Sequence, residues 1–386
     1  MTRRMCASGL GPTEMRVLVV NAGSSSLKLR VLGADDAVLA THDLPAEKGR
    51  FDERALAGVL RAMPTVDAVG HRIVHGGDAF VHSVGVDARV EERLRRLEDL
   101  APLHQAAGLA ALDVASRLLP GVPAVACFDT TFHASLPPEA FTYAVPQEWR
   151  ERYHVRRYGF HGLSHAYAAR RAAQLLSQSA DTLRLVICHL GAGASLAAVQ
   201  AGVSVDTTMG FTPLDGLVMA TRSGGIDPGL VLWMQQHADL TAAEVGLALE
   251  YGSGLFALAG TGDMQQVLRA AGAGDAAACL AVAVYLHRLR AEVAAMASAM
   301  GGCDALVFTG GVGEHATAIR ERAASGLAFL GVQVDALRNA AAVGCDADVS
   351  AAGARVASLV VVAREDLQIA REVRAVVGAQ RGVGRP

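Results

Sequence analysis

Two arginines and a histidine lie among glycines, in segments that could hold a multiply charged anion. The segments are GHRIVHGG (70–77) around Arg72, MATRSGGIDP (219–228) around Arg222 and RRYGFHGLSH (156–165) around His161. A guanidinium donates two parallel hydrogen bonds to a phosphate or carboxylate, and glycine lets such a group approach the backbone. A histidine can donate to negative charge that develops during a reaction. For each residue taken singly, a surface ion pair or a structural loop histidine is the alternative.

Oxygen-bearing side chains follow two of the apolar strands. Asn21 and the serines Ser24 to Ser26 come after the run Val17–Val20, and Asp129 directly follows Val125–Phe128. Amides and hydroxyls in such a turn could surround a phosphate or a hydrated Mg²⁺, and ligands of α/β proteins lie at the carboxyl ends of strands. Ordinary turn chemistry for the serines and a helix cap for the aspartate are the alternatives.

The strand-and-turn pattern recurs along the chain. Leu185–Cys188 runs into His189–Ser195, about half a chain length after the first example, and a third strand, Ala305–Thr309, precedes the glycine loop Gly310–Gly313. A helical pattern begins at Ala316 just beyond that loop. Strand, glycine loop and helix start together make an anion-holding arrangement, because free amides and the helix dipole point at the ligand.

Helical and strand patterns alternate through the rest of the chain and predict an α/β fold with two similar halves. The helical patterns cover 88–99, 104–118, 164–178, 241–250, 275–300 and 366–377, and the strands include 124–128 and 359–362. Residues 271–300 are rich in alanine, but the spacing of Leu280, Val284, Leu286, Leu289 and Val293 predicts a buried helix rather than a linker.

Composition excludes several classes of function. The chain has 386 residues, 52% of them hydrophobic, which fits two folded domains with a cleft. The net charge of -3 gives no excess of positive charge that would indicate binding to nucleic acid or to an anionic membrane. No uncharged apolar stretch approaches the roughly 18 residues that span a bilayer, and we expect residues 1–15 to be a disordered extension. Six scattered cysteines indicate reduced thiols in the cytoplasm.

Several catalytic motifs are absent. There is no G-x-x-x-x-G-K-[ST] loop, no protein-kinase catalytic loop, no complete dinucleotide fingerprint and no G-x-S-x-G elbow. His71 and His75 are four residues apart, but the β-branched pair between them predicts a strand, in which they would not form a helical zinc site.

Taken together, eight segments resemble the acetate kinase family in order and spacing, over nearly the whole chain beyond residue 15. They are VLVVNAGSSSLK (17–28), GHRIVHGGD (70–78), FDTTFH (128–133), RRYGFHGLSH (156–165), HLGAGAS (189–195), SVDTTMGFTPLDGLVMATRSGGIDP (204–228), LVFTGGVGEH (306–315) and AREDLQIAR (363–371). The resemblance implies a duplicated actin/hexokinase/Hsp70-like, ribonuclease H-like fold, a homodimer and an active site in the interdomain cleft. We expect an N-terminal domain over 16–160, on which the C-terminal helix 366–386 packs, and a nucleotide-binding domain over 161–365.

The resemblance also implies an activity: reversible in-line transfer of the γ-phosphoryl group of ATP to acetate, with Mg²⁺, or alternatively Mn²⁺, as the metal. Asn21, Asp129 and Glu365 would position the metal and the phosphates. Arg72, Arg222 and His161, with Asp129, would be the catalytic set. Nucleotide contacts are expected at Lys28, Ser24, Ser26, His189, Gly191, Gly193, Asp263, Gly311, Gly313 and His315, and Arg72, Val74 and Phe160 are expected to contact acetate.

The chain departs from the family pattern on the nucleotide side. Ala192 replaces an asparagine, Thr261–Gln265 replaces an S-S-D-F-R segment, and His315 replaces another asparagine. Two alternatives therefore stay open: a propionate or butyrate kinase on the same scaffold, and a nucleotide-binding protein of weak activity.

Overall fold

The computed structural model describes residues 15–23, 26–47, 50–98 and 102–383, with backbone alone at 102–104 and 381–383. The predicted disordered extension therefore lies outside the described residues except for Met15, which is fully buried and belongs to the fold. Ser24 also lies outside them. None of the helices in these ranges combines the length and the apolar character that a bilayer-spanning segment needs.

The chain forms two compact units. The first runs to Thr131 and resumes at Arg364, and the second is Phe132–Ala363. This division lies well before residue 160, where the sequence analysis placed it. The reason is that the side chain of His133 bonds to Ser204, and Arg157 donates to the carbonyls of residues 207 to 209. The segment between the two boundaries is therefore anchored to the second unit.

The first unit is a six-stranded sheet with helices, numbered here along the chain. Its strands are β1 (Val17–Ala22), β2 (Ser26–Leu32), β3 (Val38–Pro45), β4 (Ala68–Ile73), β5 (Val84–Gly85) and β6 (Ala124–Phe128), and its helices are α1 (Glu53–Ala62), α2 (Ala88–Arg96), α3 (Pro102–Leu118) and α15 (Glu365–Val383). The strand order is β3-β2-β1-β4-β6-β5, with β1, β4 and β6 parallel and the others antiparallel to their neighbours.

Apolar side chains on both faces of the central strands build the core of this unit. Val17 to Val20 of β1 are at most 1% exposed, as expected for a strand that is covered on both sides. At Gly70 of β4 a Cβ atom would lie 2.5 Å from Ile369 and 2.7 Å from Val373. Glycine is therefore required where α15 approaches the sheet.

The second unit contains the remaining elements. Its strands are β7 (Arg184–Leu190), β8 (Ala194–Gln200), β9 (Val203–Thr207), β10 (Ala305–Thr309), β11 (Ala347–Asp348) and β12 (Ala357–Val360). Its helices are α4 (Pro138–Phe141), α5 (Gln147–Arg152), α6 (Gly162–Leu175), α7 (Pro228–His237), α8 (Ala242–Tyr251), α9 (Gly254–Ala259), α10 (Met264–Gly272), α11 (Ala276–Ala299), α12 (Gly310–His315), α13 (Thr317–Ser325) and α14 (Ala336–Ala341).

The second sheet repeats the topology of the first. Its order is β11-β12-β10-β7-β8-β9, with β7, β10 and β12 parallel and the remaining pairs antiparallel. Read from the other edge, this is the arrangement of the first sheet strand for strand. The α/β fold with two similar halves is thus confirmed, and the recurring strand-and-turn segments are the first hairpins of the two halves.

The alanine-rich segment forms the buried helix α11, as predicted, but one of the five residues assigned to its buried face is exposed. Leu280 is 57% exposed, whereas Ala281 and Tyr285 are buried together with Leu289 and Val293. Small alanines on the inner face let the helix pack closely, and a leucine was wrongly assigned to that face.

Candidate active site

Arg72 is the centre of a polar cluster in the first unit. It lies on β4, and Asp129 follows the neighbouring parallel strand β6, so the two side chains meet at the carboxyl edge of the sheet. Arg72 donates from Nε to Asp129 Oδ1 at 3.0 Å and from Nη2 to Oδ2 at 2.6 Å. The Asp129 side chain is 1% exposed and that of Arg72 13%. The result is a buried, bidentate ion pair.

Asn21 and Glu365 complete this cluster, which we call the Arg72 cluster. Asn21 is the second-last residue of β1 and donates from Nδ2 to Glu365 Oε2 at 2.8 Å, while Arg72 Nη1 donates to the carbonyl of Ala22 at 2.9 Å. Burial acts to lower the pKa of Arg72, but the charges of Asp129 and Glu365 outweigh it and the pKa is raised. The structure therefore brings together four residues that the sequence analysis selected, from positions up to 344 residues apart.

The Arg72 cluster offers the donor atoms that suit magnesium. Two carboxylates and one amide oxygen are hard ligands, and Mg²⁺ typically takes one or two carboxylates and completes its shell with water and phosphate oxygens. Within the described ranges, no three or more His, Cys, Asp and Glu side chains gather in an arrangement that could hold a metal ion. Asn21, Asp129 and Glu365 are the residues of the Arg72 cluster whose oxygen atoms could hold such an ion together with water and phosphate oxygens.

The other predicted residues of the first unit make none of the hydrogen bonds described above for the Arg72 cluster. Lys28 pairs across the strands with both Asn21 and Asp43, and its side chain is exposed. Ser26 accepts a hydrogen bond from Gly23 through its carbonyl. Val74 is 9% exposed and packed into the unit. Roles for these residues stay predictions.

In the second unit, His161 has an unusual backbone conformation. It is the N-cap of α6, and its φ of 57° places it in the left-handed region, which costs a non-glycine residue roughly 1–2 kcal/mol. Its ring Nδ1 lies 3.0 Å from the Ser195 hydroxyl on β8. Strained conformations of this kind cluster at functional sites.

Arg222 and His161 converge on the turn between β7 and β8. A Cβ atom on Gly193 would lie 3.2 Å from His161 Nε2 and 3.5 Å from Arg222 Nη1. Glycine therefore leaves room for a histidine and a guanidinium at one point. Two hydrogen-bond donors of this type at one position can compensate the charge of an oxyanion.

Glu250 holds Arg222 in place, and the sequence analysis missed it. Its Oε1 lies 2.8 Å from Arg222 Nε, and the two side chains are 10% and 13% exposed. Arg222 Nη1 also donates to the carbonyl of Pro213 at 3.1 Å. Glu250 lies on the helical segment 241–250, which the sequence predicts, but no signal in that helix distinguishes it from a solvent-facing glutamate.

A cluster of histidines and serines underlies His161. Ser164 bonds to Nδ1 of His189 at 2.8 Å, and the rings of His189 and His161 lie 4.5 Å apart. His165 Nε2 lies 2.8 Å from the hydroxyl of Ser195. Burial, with smaller effects of neighbouring histidines, holds the pKa of His165 well below its usual value. The motif GFHGLSH contains Ser164 and His165, but only its first histidine was selected from the sequence.

A cavity of about 390 Å³ lies in the second unit near the glycine segments. Its walls contain four of the predicted nucleotide residues, Gly191, Asp263, Gly311 and His315. The departures from the family pattern, Ala192, Met264, Gln265 and His315, line the same cavity. Asp263 also caps α10, since its Oδ1 accepts from the Gln265 amide at 2.8 Å. The cavity is therefore lined by four of the positions at which a departure from the family pattern was inferred from the sequence.

Several residues predicted to contact the nucleotide or acetate are not part of that cavity wall. A Cβ atom on Gly313 would lie 3.3 Å from the carbonyl carbon of Phe308. The lack of a side chain at Gly313 therefore lets α12 pack closely on β10. Phe160, a predicted acetate contact, is 1% exposed, and its carbonyl lies 3.0 Å from His133 Nε2. Roles for these two residues stay predictions, as does that of His189.

The predicted glycine loop at 310–313 is wrong: these residues form the first turn of helix α12. Gly310 has a φ of 77°, in which a Cβ would lie 2.8 Å from the Leu190 carbonyl oxygen. The chain thus turns sharply out of β10 and starts the helix at once. The amides of a helix start are available in place of those of an open loop.

Arg320 anchors the far end of α12 and was also missed. It is fully buried and donates five hydrogen bonds, which go to the carbonyls of Gly313, Glu314, Asn339 and Ala342 and to the side chain of Asn339. All five guanidinium N–H groups are used. Because α12 contributes Gly311 and His315 to the cavity, Arg320 fixes part of its wall.

Comparison with known proteins finds several acetate kinases. The acetate kinase of Deinococcus deserti is 44% identical over 95% of this chain and 99% of its own, and that of Gloeobacter violaceus is 47% identical over 93% and 98%. The crystal structure of Porphyromonas gingivalis acetate kinase matches with a TM-score of 0.87 and 34% identity, over 94% of this chain and all of its own.

A propionate kinase from Francisella tularensis is similar to nearly the same degree, with a TM-score of 0.85 and 33% identity over 94% of this chain and all of its own. The profile of the Acetokinase family matches residues 48–371, which contain most of the Arg72 cluster and the whole of the His161 and Arg222 site. The chain therefore belongs to the acetokinase family.

Proposed function

We propose that this chain transfers the γ-phosphoryl group of ATP to the carboxylate of acetate, giving acetyl phosphate and ADP. The observation that carries the proposal is the convergence of His161 Nε2 and Arg222 Nη1 at Gly193, in a chain of the acetokinase family. A transferred phosphoryl group spreads negative charge over three oxygens, and positioned donors are the main source of catalysis in such reactions.

In the proposed mechanism, two fixed guanidinium groups compensate the negative charge of the transferred phosphoryl group. Arg72, fixed by Asp129, presents a guanidinium that cannot lose its proton, and Arg222, fixed by Glu250, presents a second. Their rigidity reduces the reorganisation needed when charge develops. When bound, Mg²⁺ or alternatively Mn²⁺ would neutralise phosphate oxygens, and Asn21, Asp129 and Glu365 are the residues proposed to hold it.

The mechanism needs no general base. A carboxylate is ionised and nucleophilic at pH 7, so no proton has to be removed before it attacks phosphorus. The side chains at the proposed site are accordingly donors and metal ligands. The departures at Ala192, Met264 and Gln265 affect the cavity wall and are proposed to alter nucleotide affinity rather than the transfer step.

The acceptor acid is tested by trapping the product. Protein, ATP and Mg²⁺ are incubated with acetate, propionate or butyrate, and hydroxylamine converts any acyl phosphate to a hydroxamate that is measured. We expect the strongest signal with acetate and none without Mg²⁺. A stronger signal with propionate would reassign the substrate, which the similarity to a propionate kinase makes the second candidate. No product from any acid, despite nucleotide binding, would overturn the proposal and favour the weakly active alternative.

We further propose that the chain is a cytoplasmic homodimer. Large apolar side chains are exposed on α7 and α8, namely Leu230, Leu232, Trp233 and Leu247, each at least 47% exposed. Exposed apolar side chains grouped in this way are typical of protein interfaces. The five described cysteines are free thiols, as in a reducing compartment. Light scattering of the eluting protein should give twice the chain mass, and a single-chain mass would contradict the dimer.

A further inference from the structure

Ser195 is shared by two histidines, and a shared hydroxyl limits where the ring protons can be. Its Oγ lies 3.0 Å from His161 Nδ1 and 2.8 Å from His165 Nε2. A hydroxyl has one hydrogen to donate, so it can donate to only one of these nitrogens. At least one of the two rings must therefore donate an N–H to Ser195.

The surroundings of His165 decide which ring donates. His165 is fully buried, and its Nδ1 has no hydrogen-bond partner among the described residues. Burial keeps its pKa far below the usual value, so the ring is neutral and carries one proton. If that proton were on Nδ1, a buried N–H would lack an acceptor, which folded proteins rarely tolerate. The proton therefore belongs on Nε2, which donates to Ser195.

The position of the His165 proton then decides the position of the proton on His161. With its oxygen accepting from His165, the Ser195 hydroxyl donates to His161 Nδ1, which must be an unprotonated acceptor. If both rings donated instead, the hydroxyl hydrogen would have no acceptor in the described part of the chain. We propose that Ser195 and His165 are positioning residues that hold His161 as the neutral tautomer with its proton on Nε2.

This tautomer is the one that the proposed reaction requires, and in that respect the inference rests on the proposed function. The Nε2 edge of His161 faces the position of Gly193 that Arg222 also approaches. An N–H there donates to a phosphoryl oxygen, whereas a lone pair would repel it. A comparable contact exists elsewhere in the unit, where His133 Nδ1 lies 2.8 Å from Ser204 Oγ. The His133 ring adjoins that of His165 edge-on, with 5.6 Å between centroids, but its own nitrogens bond to Ser204 and to the Phe160 carbonyl.

The inference is tested by nitrogen NMR of the full chain labelled with ¹⁵N-histidine, at pH 7 and without substrate. Long-range ¹H–¹⁵N correlations report which ring nitrogen carries hydrogen, and the His161 signals are assigned from their absence in His161→Gln. We expect a single neutral form with the proton on Nε2. A proton on Nδ1, or on both nitrogens, would overturn the inference whether or not the protein makes acetyl phosphate.

Variants then separate positioning from folding. Ser195→Ala should shift the His161 signals toward a mixture of tautomers and lower kcat by roughly tenfold to a hundredfold, with KM for ATP unchanged. Ser195→Thr keeps the hydroxyl and should restore both. Ser204→Ala is the matched control, since it should move the signals of His133 and leave those of His161 in place. Unchanged His161 signals in folded Ser195→Ala would also overturn the proposal, and if that variant does not fold, the wild-type spectrum decides.

Discussion

Replacing Arg72 by methionine should destabilise the first unit as well as abolish turnover. The variant keeps an apolar side chain of similar length but removes the guanidinium that holds Asp129 through two hydrogen bonds. Asp129 would then remain at 1% exposure without its bidentate partner. A carboxylate that is buried in this way is strongly unfavourable.

The magnitude follows from the burial of the pair. Removing one partner of a buried ion pair costs about 3–5 kcal/mol, because the remaining charge loses its compensation. Each kcal/mol lowers the melting temperature of a domain of 150–250 residues by about 2–4 °C. Arg72→Met should therefore lower the melting temperature of the first unit by roughly 6 °C or more. The double variant Arg72→Met/Asp129→Asn should recover part of the lost melting temperature, since it no longer carries the buried carboxylate charge of Asp129.

The assay is thermal and urea unfolding of Arg72→Met and of the double variant, with Arg30→Met as the matched control. Arg30 forms an ion pair with Asp43 on the same sheet, but Asp43 is 53% exposed. Exposed pairs contribute about 0–1 kcal/mol, so the control should melt within a few degrees of the wild type. If Arg72→Met were no less stable than Arg30→Met, or the double variant were the least stable of all, the reasoning about the buried pair would be refuted.

Three further predictions concern other residues. Glu250→Gln should reduce kcat by about tenfold with KM for ATP nearly unchanged in steady-state assays, because Arg222 loses a charge-assisted bond of about 1.5–3 kcal/mol; an unchanged kcat would contradict the anchoring role. Arg320→Lys supplies three donors for five acceptors, so calorimetry should show weaker ATP binding and a free energy of unfolding that is lower by about 2–4 kcal/mol. Wild-type values of both the ATP affinity and the free energy of unfolding would contradict the role of Arg320. Burial lowers the pKa of His71 from 6.5 to about 4, so the unfolded chain binds the extra proton and stability is lost as pH falls from 6.5 toward 4. His71→Leu should flatten that pH dependence in urea titrations, and an unaltered slope would contradict the assignment.

The fold was predictable where the sequence pattern is local. Short apolar runs followed by polar or small residues identified β1, β6 and β10, and the recurrence of the hairpin segment identified the duplication that the two sheets share. The glycines at 310–313 were misassigned to a loop because glycine favours loops intrinsically, and only the sharp turn at Gly310 shows that a helix starts there. The face of α11 was misjudged at Leu280 because alanine gives little apolar periodicity.

The site was predictable for residues in distinctive motifs and not for those that support them. Arg72, Asn21, Asp129 and Glu365 were selected in the sequence and meet in the structure. The residues that support the site contact partners far away in the sequence. Glu250 contacts Arg222, 28 residues away, and Ser195 contacts His161, 34 residues away. Arg320 bonds to carbonyls as far as Ala342, 22 residues away. A glutamate, a serine or an arginine on a regular element has no local signal of such a partner. The supporting contacts therefore required the three-dimensional structure.

The central claim is that an oxygen of acetate attacks the γ-phosphorus of ATP. Its most direct test is to supply acetate labelled with ¹⁸O in the carboxylate and to follow acetyl phosphate by ³¹P NMR, in the presence of the protein, ATP and Mg²⁺. The account predicts an isotope-shifted phosphorus signal, because the bridging oxygen comes from acetate. Acetyl phosphate without that shift, or only inorganic phosphate, would contradict it.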